Sequence, residues 1–215
     1  MSQFAAARTA LDSMTIDEIA VAIETIGFSC TDCGACCRSN GEDHVATVFP
    51  GEIRDIQRAS GREWKKVARP MPFGLTETDT GETFEWALQS TSCGDCTFYD
   101  ADATGGGCTI YADRPFICQT YPFQLALPGV TEQSSSVTTT EGPVRAFECE
   151  GLGRAISPSE ARSLAKTLKA RAKRELREAE SLLESYAVAE GDHDVIVHDS
   201  EGPKRPDGSS LNHDS

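Results

Sequence analysis

The stretch Cys30-Thr-Asp-Cys33-Gly-Ala-Cys36-Cys37 puts four thiols into eight residues, and no other feature constrains the fold of this chain so strongly. Its two overlapping Cys-x-x-Cys spacings, Cys30/Cys33 and Cys33/Cys36, allow one turn to aim several sulfurs at one ion. Zinc and iron-sulfur sites share that geometry. Three thiolates from one loop approach what a four-iron cluster takes from a Cys-x-x-Cys-x-x-Cys run, with the fourth ligand from elsewhere. Cys37 stands apart, because adjacent side chains diverge and seldom bind the same ion. It reads as a ligand of a second metal, or as a free or redox thiol.

Cys93, Cys96, Cys108, Cys118 and Cys149 bring the total to nine, an odd number that argues against complete internal pairing. The opening MSQFAAARTALDSMTIDE lacks a basic segment followed by an apolar one, so the expected setting is the reducing cytoplasm. There, clustered cysteines bind metal or do chemistry rather than form a disulfide frame. Two four-sulfur sites would use eight of the nine. An isolated cysteine such as Cys149 reads equally as a small buried hydrophobe, whereas the clustered four do not. His44 is the imidazole nearest a cluster, and His193, His198 and His213 fall in a segment that reads as unstructured. Arg114 has two readings, a donor that offsets the charge of a thiolate-rich centre or a surface side chain paired with Asp113. Tyr111, Tyr121 and Phe123 read as shields of such a centre or as ordinary core.

Thirty-four acidic against 20 basic residues give a net charge of −14, which repels nucleic acid and anionic membranes. Neither is expected as a partner, and no protein partner can be named from the sequence. Six Lys against fourteen Arg resembles the balance of a salt-adapted surface, although an ordinary acidic cytosolic protein fits the same numbers. No run of 18 apolar residues occurs.

The elements around the thiols carry clear local signals. Thr15-Ile-Asp-Glu18 is a capping box, with Ile16, Ile19, Ala20, Ile23 and Ile26 at helical spacing and Gly27 as a stop. Pro50 opens a second helix that Gly61 ends, and REWKKVARP reads as a short third. Thr83–Leu88 alternates as a strand, and Pro122–Leu127 and Pro143–Phe147 are further extended candidates, separated by the loop SSSVTTTEG. Ser157-Pro-Ser-Glu160 starts a helix of about 28 residues, with Leu164, Leu168, Ala172, Leu176, Ala179 and Leu183 as its apolar stripe. Its basic face, with Arg162, Lys166, Lys169, Arg171, Lys173, Arg174 and Arg177, reads as solvated surface. From Glu190 onward, seven acidic and two basic residues in 26 suggest a disordered acidic tail. The expected organisation is a helical lead-in over 1–27, a cysteine domain over 28–155, a packed helix over 156–189 and the tail over 190–215. The fold class expected is a small α+β domain in which metal replaces part of the core.

Taken together, Cys30-x-x-Cys33-x-x-Cys36-Cys37, Cys96-x-Phe98, Cys108-x-Ile110-Tyr111-x-x-Arg114-Pro115-x-x-Cys118-x-x-Tyr121-Pro122 and Cys149-x-Gly151 resemble the YkgJ-like cysteine-cluster (CxxCxxCC) family. Its members are described as zinc- or iron-chelating domains. The resemblance spans about residues 28 to 155 and implies Cys30, Cys33, Cys36, Cys37, Cys96, Cys108, Cys118 and Cys149 as metal-ligand candidates. Cys93 lies outside the pattern.

The sequence therefore points to a metal-binding protein holding an iron-sulfur cluster, zinc or both. All-thiolate sites suit either metal, and the three close cysteines tilt toward a four-iron cluster. The alternative is an enzyme, an S-adenosylmethionine-dependent methyltransferase like the related but larger flagellin lysine methylases. Against it, the chain has neither a Gly-x-Gly-x-x-Gly loop nor the Cys-x-x-x-Cys-x-x-Cys spacing of radical enzymes that use that cofactor. A thiol-exchange role for Cys36 and Cys37 lacks the βαβ pattern that usually accompanies it.

Overall fold

The helix signals form where the capping chemistry places them. A computed structural model of the chain describes residues 4–39, 45–72, 74–75, 80–102, 107–130, 137–186 and 195–211, and it is an α+β structure. In chain order, α1 (Ala5–Ser13) and α2 (Ile16–Ile26) precede a 3-10 turn at Ala35–Cys37 and β1 (Thr47–Val48). Then come α3 (Pro50–Ser60), α4 (Trp64–Val67), β2 (Ala68–Pro70), β3 (Gly81–Thr83) and β4 (Trp86–Leu88). A second 3-10 turn at Tyr111–Asp113 leads to α5 (Phe116–Thr120), β5 (Phe123–Leu125), β6 (Val137–Glu141) and β7 (Val144–Phe147). The chain ends with α6 (Pro158–Ser185), β8 (Val195–Asp199) and β9 (Gly202–Lys204). Among the described residues no helix is long and apolar enough to cross a membrane.

The chain divides into two units, Met1–Cys36 with Phe116–Arg177, and Cys37–Pro115 with Glu178–Ser215. In the first, the Thr15 hydroxyl accepts the Glu18 N–H at 3.1 Å while the Glu18 carboxylate accepts the Thr15 N–H at 2.7 Å, closing the capping box of α2. Ser157 and Glu160 repeat the arrangement at the start of α6. The antiparallel sheet β5-β7-β6 and the two helices enclose one core, in which Ile19, Ile23, Phe123, Val144 and Leu168 are each 0 or 1% exposed. Burying a side chain of that size contributes about 1.5–3 kcal/mol. The expected SSSVTTTEG loop is corrected here, because Val137–Glu141 pairs with β7 as a strand. Its threonines are good strand formers whose polarity mimics a loop in the sequence.

Arg171 is a second correction. It was expected on a solvated face but is buried, with Nε 2.7 Å from Glu175, and Nη1 3.0 Å from the Thr120 hydroxyl and 3.2 Å from the Phe123 carbonyl. The guanidinium thus anchors the turn between α5 and β5. Leu183, expected in the apolar stripe, is exposed.

In the second unit, β4 sits between β1 and β2, and β8 between β3 and β9, with β3 and β8 parallel. The expected single strand over Thr83–Leu88 breaks at Phe84 and Glu85 into β3 and β4, which join different sheets. The segment expected as a disordered tail is ordered over β8 and β9, where Ile196, Val197, His198, Asp199 and Lys204 are buried. Its own charges explain the error. Asp199 accepts bonds from the Trp86 indole and the Lys204 ammonium, both at 2.8 Å, and Lys204 also reaches Glu201 at 2.7 Å. Residues that read as solvated tail are a paired network, the condition for burying charge. The His198 ring stacks on Phe84 at 5.6 Å and meets Tyr186 at 4.9 Å. Its Nε2 lies 3.3 Å from the Glu82 carboxylate without the alignment of a hydrogen bond. The other three histidines, including His44, lie outside the described residues.

Two predictions test these packing accounts. Replacing Arg171 by Met should cost about 2–4 kcal/mol in urea unfolding, because it breaks a buried charged cluster; a loss near zero would show the site is not sealed. Hydrogen bonds from Arg54, then Lys204, hold the Glu201 carboxyl down at about 2, against a burial effect that acts upward. A depressed carboxylate stabilises the fold above its ordinary range and loses that contribution as pH falls from near 4.5 toward 2. Since Glu201 is 39% exposed, the effect is discounted to about 1 kcal/mol. Wild type should exceed Glu201→Gln in stability at pH 7, and the difference should vanish near pH 2.

Candidate metal centre

Two remote segments of the first unit meet through their backbones. Helix α2 stops at Gly27 (φ 75°), and the Gly27 carbonyl accepts the Gly153 N–H at 3.0 Å. Two residues on, the Ser29 N–H donates to the Gly151 carbonyl at 3.0 Å, and Phe28 bridges Leu152. A Cβ on Gly151 would lie 2.5 Å from the Ser29 carbonyl, and one on Gly27 would lie 2.7 Å from that of Arg154. Only glycine permits this approach. It brings the entry to Cys30 alongside the loop that carries Cys149.

Beyond Cys30 the chain turns through Asp32 (φ 53°) and Gly34 (φ 70°), left-handed positions that let Cys30, Cys33 and Cys36 project from one short loop. Cys30 and Cys36 are exposed, and Cys33, Cys118 and Cys149 are half-buried, so these thiols are not core filling. The Cys30 thiol donates to the Asp32 carboxylate at 3.4 Å, and the Cys149 sulfur accepts the Gly151 N–H at 3.4 Å. Shielding by the surrounding chain pushes the Cys30 thiol up, with the Asp32 carboxylate and the Cys36 sulfur adding to the effect. Burial likewise raises Cys149, and the charges of Cys33, Cys36 and Glu150 add to it. Cys149 is thus in electrostatic reach of Cys33 and Cys36 across more than a hundred residues of sequence.

Tyr121 marks the same spot. Its phenol, which donates to the Glu148 carbonyl, is pushed up to about 12 by burial and then by Cys149, Cys36, Glu148 and Cys33. Of the three aromatic candidates, Tyr121 therefore stands at the thiols, Phe123 is core, and Tyr111 is half exposed. Cys118 lies on α5, one turn before Tyr121. Asp32 and Glu148 were missed by sequence reasoning; a carboxylate beside a Cys-x-x-Cys loop carries no signal of its own.

The second unit holds Cys37, Cys93, Cys96 and Cys108. The Cys96 N–H donates to the Cys37 carbonyl at 2.8 Å, so the doublet's second cysteine is tied to the later group. Cys96 is buried, Cys108 bridges Tyr99, and Cys93 is exposed with its sulfur 3.3 Å from the Thr91 hydroxyl. Arg114 holds its guanidinium 3.8 Å over the Tyr111 ring and donates from Nε to the Tyr111 carbonyl at 3.2 Å.

Among the described residues no three His, Cys, Asp or Glu side chains converge closely enough, as they stand, to ligate one ion. The fit to a metal therefore rests on donor chemistry. Several thiols from two segments share one electrostatic environment, and thiolates are the ligands of zinc and of iron-sulfur clusters. A bound cation would draw them together and offset the burial and neighbouring negative charge that raise Cys30 and Cys149.

A model of a family described as "CxxCxxCC: Putative zinc- or iron-chelating domain" matches residues 29–150, more than half of the chain. No curated protein and no solved structure matches it.

The glycine contact yields a prediction that touches no thiol. Gly151→Ala should force the 28–30 segment off the Cys149 loop and lower bound metal per chain at least twofold, as read by elemental analysis, whereas Gly129→Ala, strained by its own φ of 71° but with no atom of either segment near it, should leave bound metal unchanged.

Proposed function

The chain belongs to the CxxCxxCC family of zinc- or iron-chelating domains, and on that premise we propose that its cysteines hold two thiolate centres. Cys30, Cys33, Cys36 and Cys149 form one, with Cys118 alongside, and Cys37, Cys96 and Cys108 supply the other. The observation that carries the reading is the backbone pairing of Gly27 and Ser29 with Gly153 and Gly151, which sets the start of the Cys30–Cys36 loop beside Cys149 from opposite ends of the family region. The backbone tie between Cys37 and Cys96 supports the second group. Cys93 stays outside both. Arg114 is the proposed counter-charge for the thiolates, its guanidinium fixed in place by Tyr111.

The spacing Cys30-x-x-Cys33-x-x-Cys36 favours an iron-sulfur cluster at the first centre, with redox or metal handling as its role. Residues 28–155 act as the metal-binding region, preceded by the helical lead-in 1–27 and braced by the helix within 156–189. The proposed setting is the cytoplasm, where reduced thiols persist. No observation favours the methyltransferase alternative.

Anaerobic purification followed by elemental analysis, sulfide assay and a visible spectrum tests this. A brown protein with acid-labile sulfide and on the order of four irons per site is expected. A colourless protein with about two zincs would remove the cluster and keep the chelating role; neither metal at stoichiometric level would overturn both. Cys33→Ser should lose metal and lower the melting temperature, because ligand binding and folding are coupled, while Cys93→Ser should do neither.

A further inference from the structure

In a chain of net charge −14, Arg62, Lys65 and Lys66 stand together around one recess of about 430 Å3. Gln89, Ser90 and Thr97 complete its lining among the described residues, and no carboxylate is among them. None of the three cations forms an ion pair with a carboxylate among the described residues. The lysines contrast with Lys204, which is buried against Asp199 and Glu201.

Hydrogen bonds tie the walls of the recess to one another. The Arg62 guanidinium lies 4.6 Å over the buried Phe98 ring and donates to the Thr97 carbonyl at 3.2 Å. Gln89 donates from Nε2 to the Lys65 carbonyl at 2.9 Å and accepts the Ser90 N–H at 3.0 Å, joining the short helix α4 to the opposite wall. The Thr97 N–H closes that wall on the Gln89 carbonyl at 2.9 Å. Among the described residues the Thr97 hydroxyl has no hydrogen-bond partner, a cost unless something supplies one.

We propose that this recess binds a small molecule carrying a phosphate group. Three cations exceed what one carboxylate neutralises, whereas a phosphate monoester carries about −1.5 to −2 and offers three strong acceptor oxygens. Arg62 supplies a planar fork, and the two ammonium groups supply mobile point charges. The size falls within the range usual for small-ligand sites, about 300–1,000 Å3. The wall formed by Ser90 and Thr97 is also the base of the turn that carries Cys93 and Cys96, because Ser90 bridges Cys96 and the Thr91 N–H reaches the Asp95 carbonyl at 2.7 Å. An occupant therefore lies beside one of the thiol groups. No lining residue is a thiol, so this proposal stands apart from the metal reading.

The test is calorimetric titration of the purified full chain with inorganic phosphate at low ionic strength, with metal content measured in every sample. Phosphate should bind wild type, and Lys65→Gln/Lys66→Gln should weaken it by about tenfold or more. The control Lys166→Gln/Lys173→Gln, with the same charge change on α6, should bind as wild type does. Arg62→Gln should also weaken binding, which covers the case of a misfolded double variant. Absence of binding to wild type, or equal weakening in the control, overturns the proposal. Citrate binding more tightly than phosphate overturns the choice of phosphate.

Discussion

The pairing of Gly27 and Ser29 with Gly151 and Gly153 is the contact on which the first unit depends. It fastens the residue before the cysteine loop to the residues after Cys149, closing a stretch of roughly 120 residues at an entropic cost on the order of 4 kcal/mol. Two backbone hydrogen bonds do not offset that cost alone. The core of α2, α6 and the β5-β7-β6 sheet does most of the work, and a metal spanning the same segments would act as a cross-link over the same loop. Structure and chelation thus pull in one direction, the usual economy of domains in which ligand binding and folding are one equilibrium.

Wherever capping chemistry was local, the sequence was readable. Thr15 with Glu18 and Ser157 with Glu160 each set a helix start through bonds three residues apart, and around Pro50–Ser60 the Phe49 N–H reaches Glu52 and the Gly61 N–H returns to Gln57. Tertiary pairing was not readable. Arg171 lies among exposed arginines in the sequence, and only its spatial neighbours Thr120 and Phe123 distinguish it. Val195–Lys204 looked like tail because two of its acids have partners more than a hundred residues away, Glu201 at Arg54 and Asp199 at Trp86. The same limit applies to the thiols. Spacing revealed that Cys30, Cys33 and Cys36 share a loop, but the proximity of Cys149 to them depends on glycines whose need appears only when two backbones meet.

Positive charge is scarce in this protein and is used in different ways. Arg171 and Lys204 are buried, where each satisfies several acceptors. Arg62, Lys65 and Lys66 face solvent with no carboxylate of the described residues drawn to them, although acids outnumber bases along the chain. Their grouping around one recess, and not their lack of carboxylate partners alone, sets them apart from the basic face of α6.

The parallel pairing of β3 with β8 has a consequence for biosynthesis. One of the two sheets of the second unit, β3-β8-β9, cannot form until Val195–Lys204 has left the ribosome, roughly 90 residues after Cys108, a delay on the order of ten seconds at ordinary elongation rates. Throughout that interval the thiols at Cys37, Cys93, Cys96 and Cys108 belong to an incomplete nascent chain. Their protection against mispairing or premature oxidation then rests on the redox state of the surroundings and on helpers at the exit tunnel, and not on the finished fold.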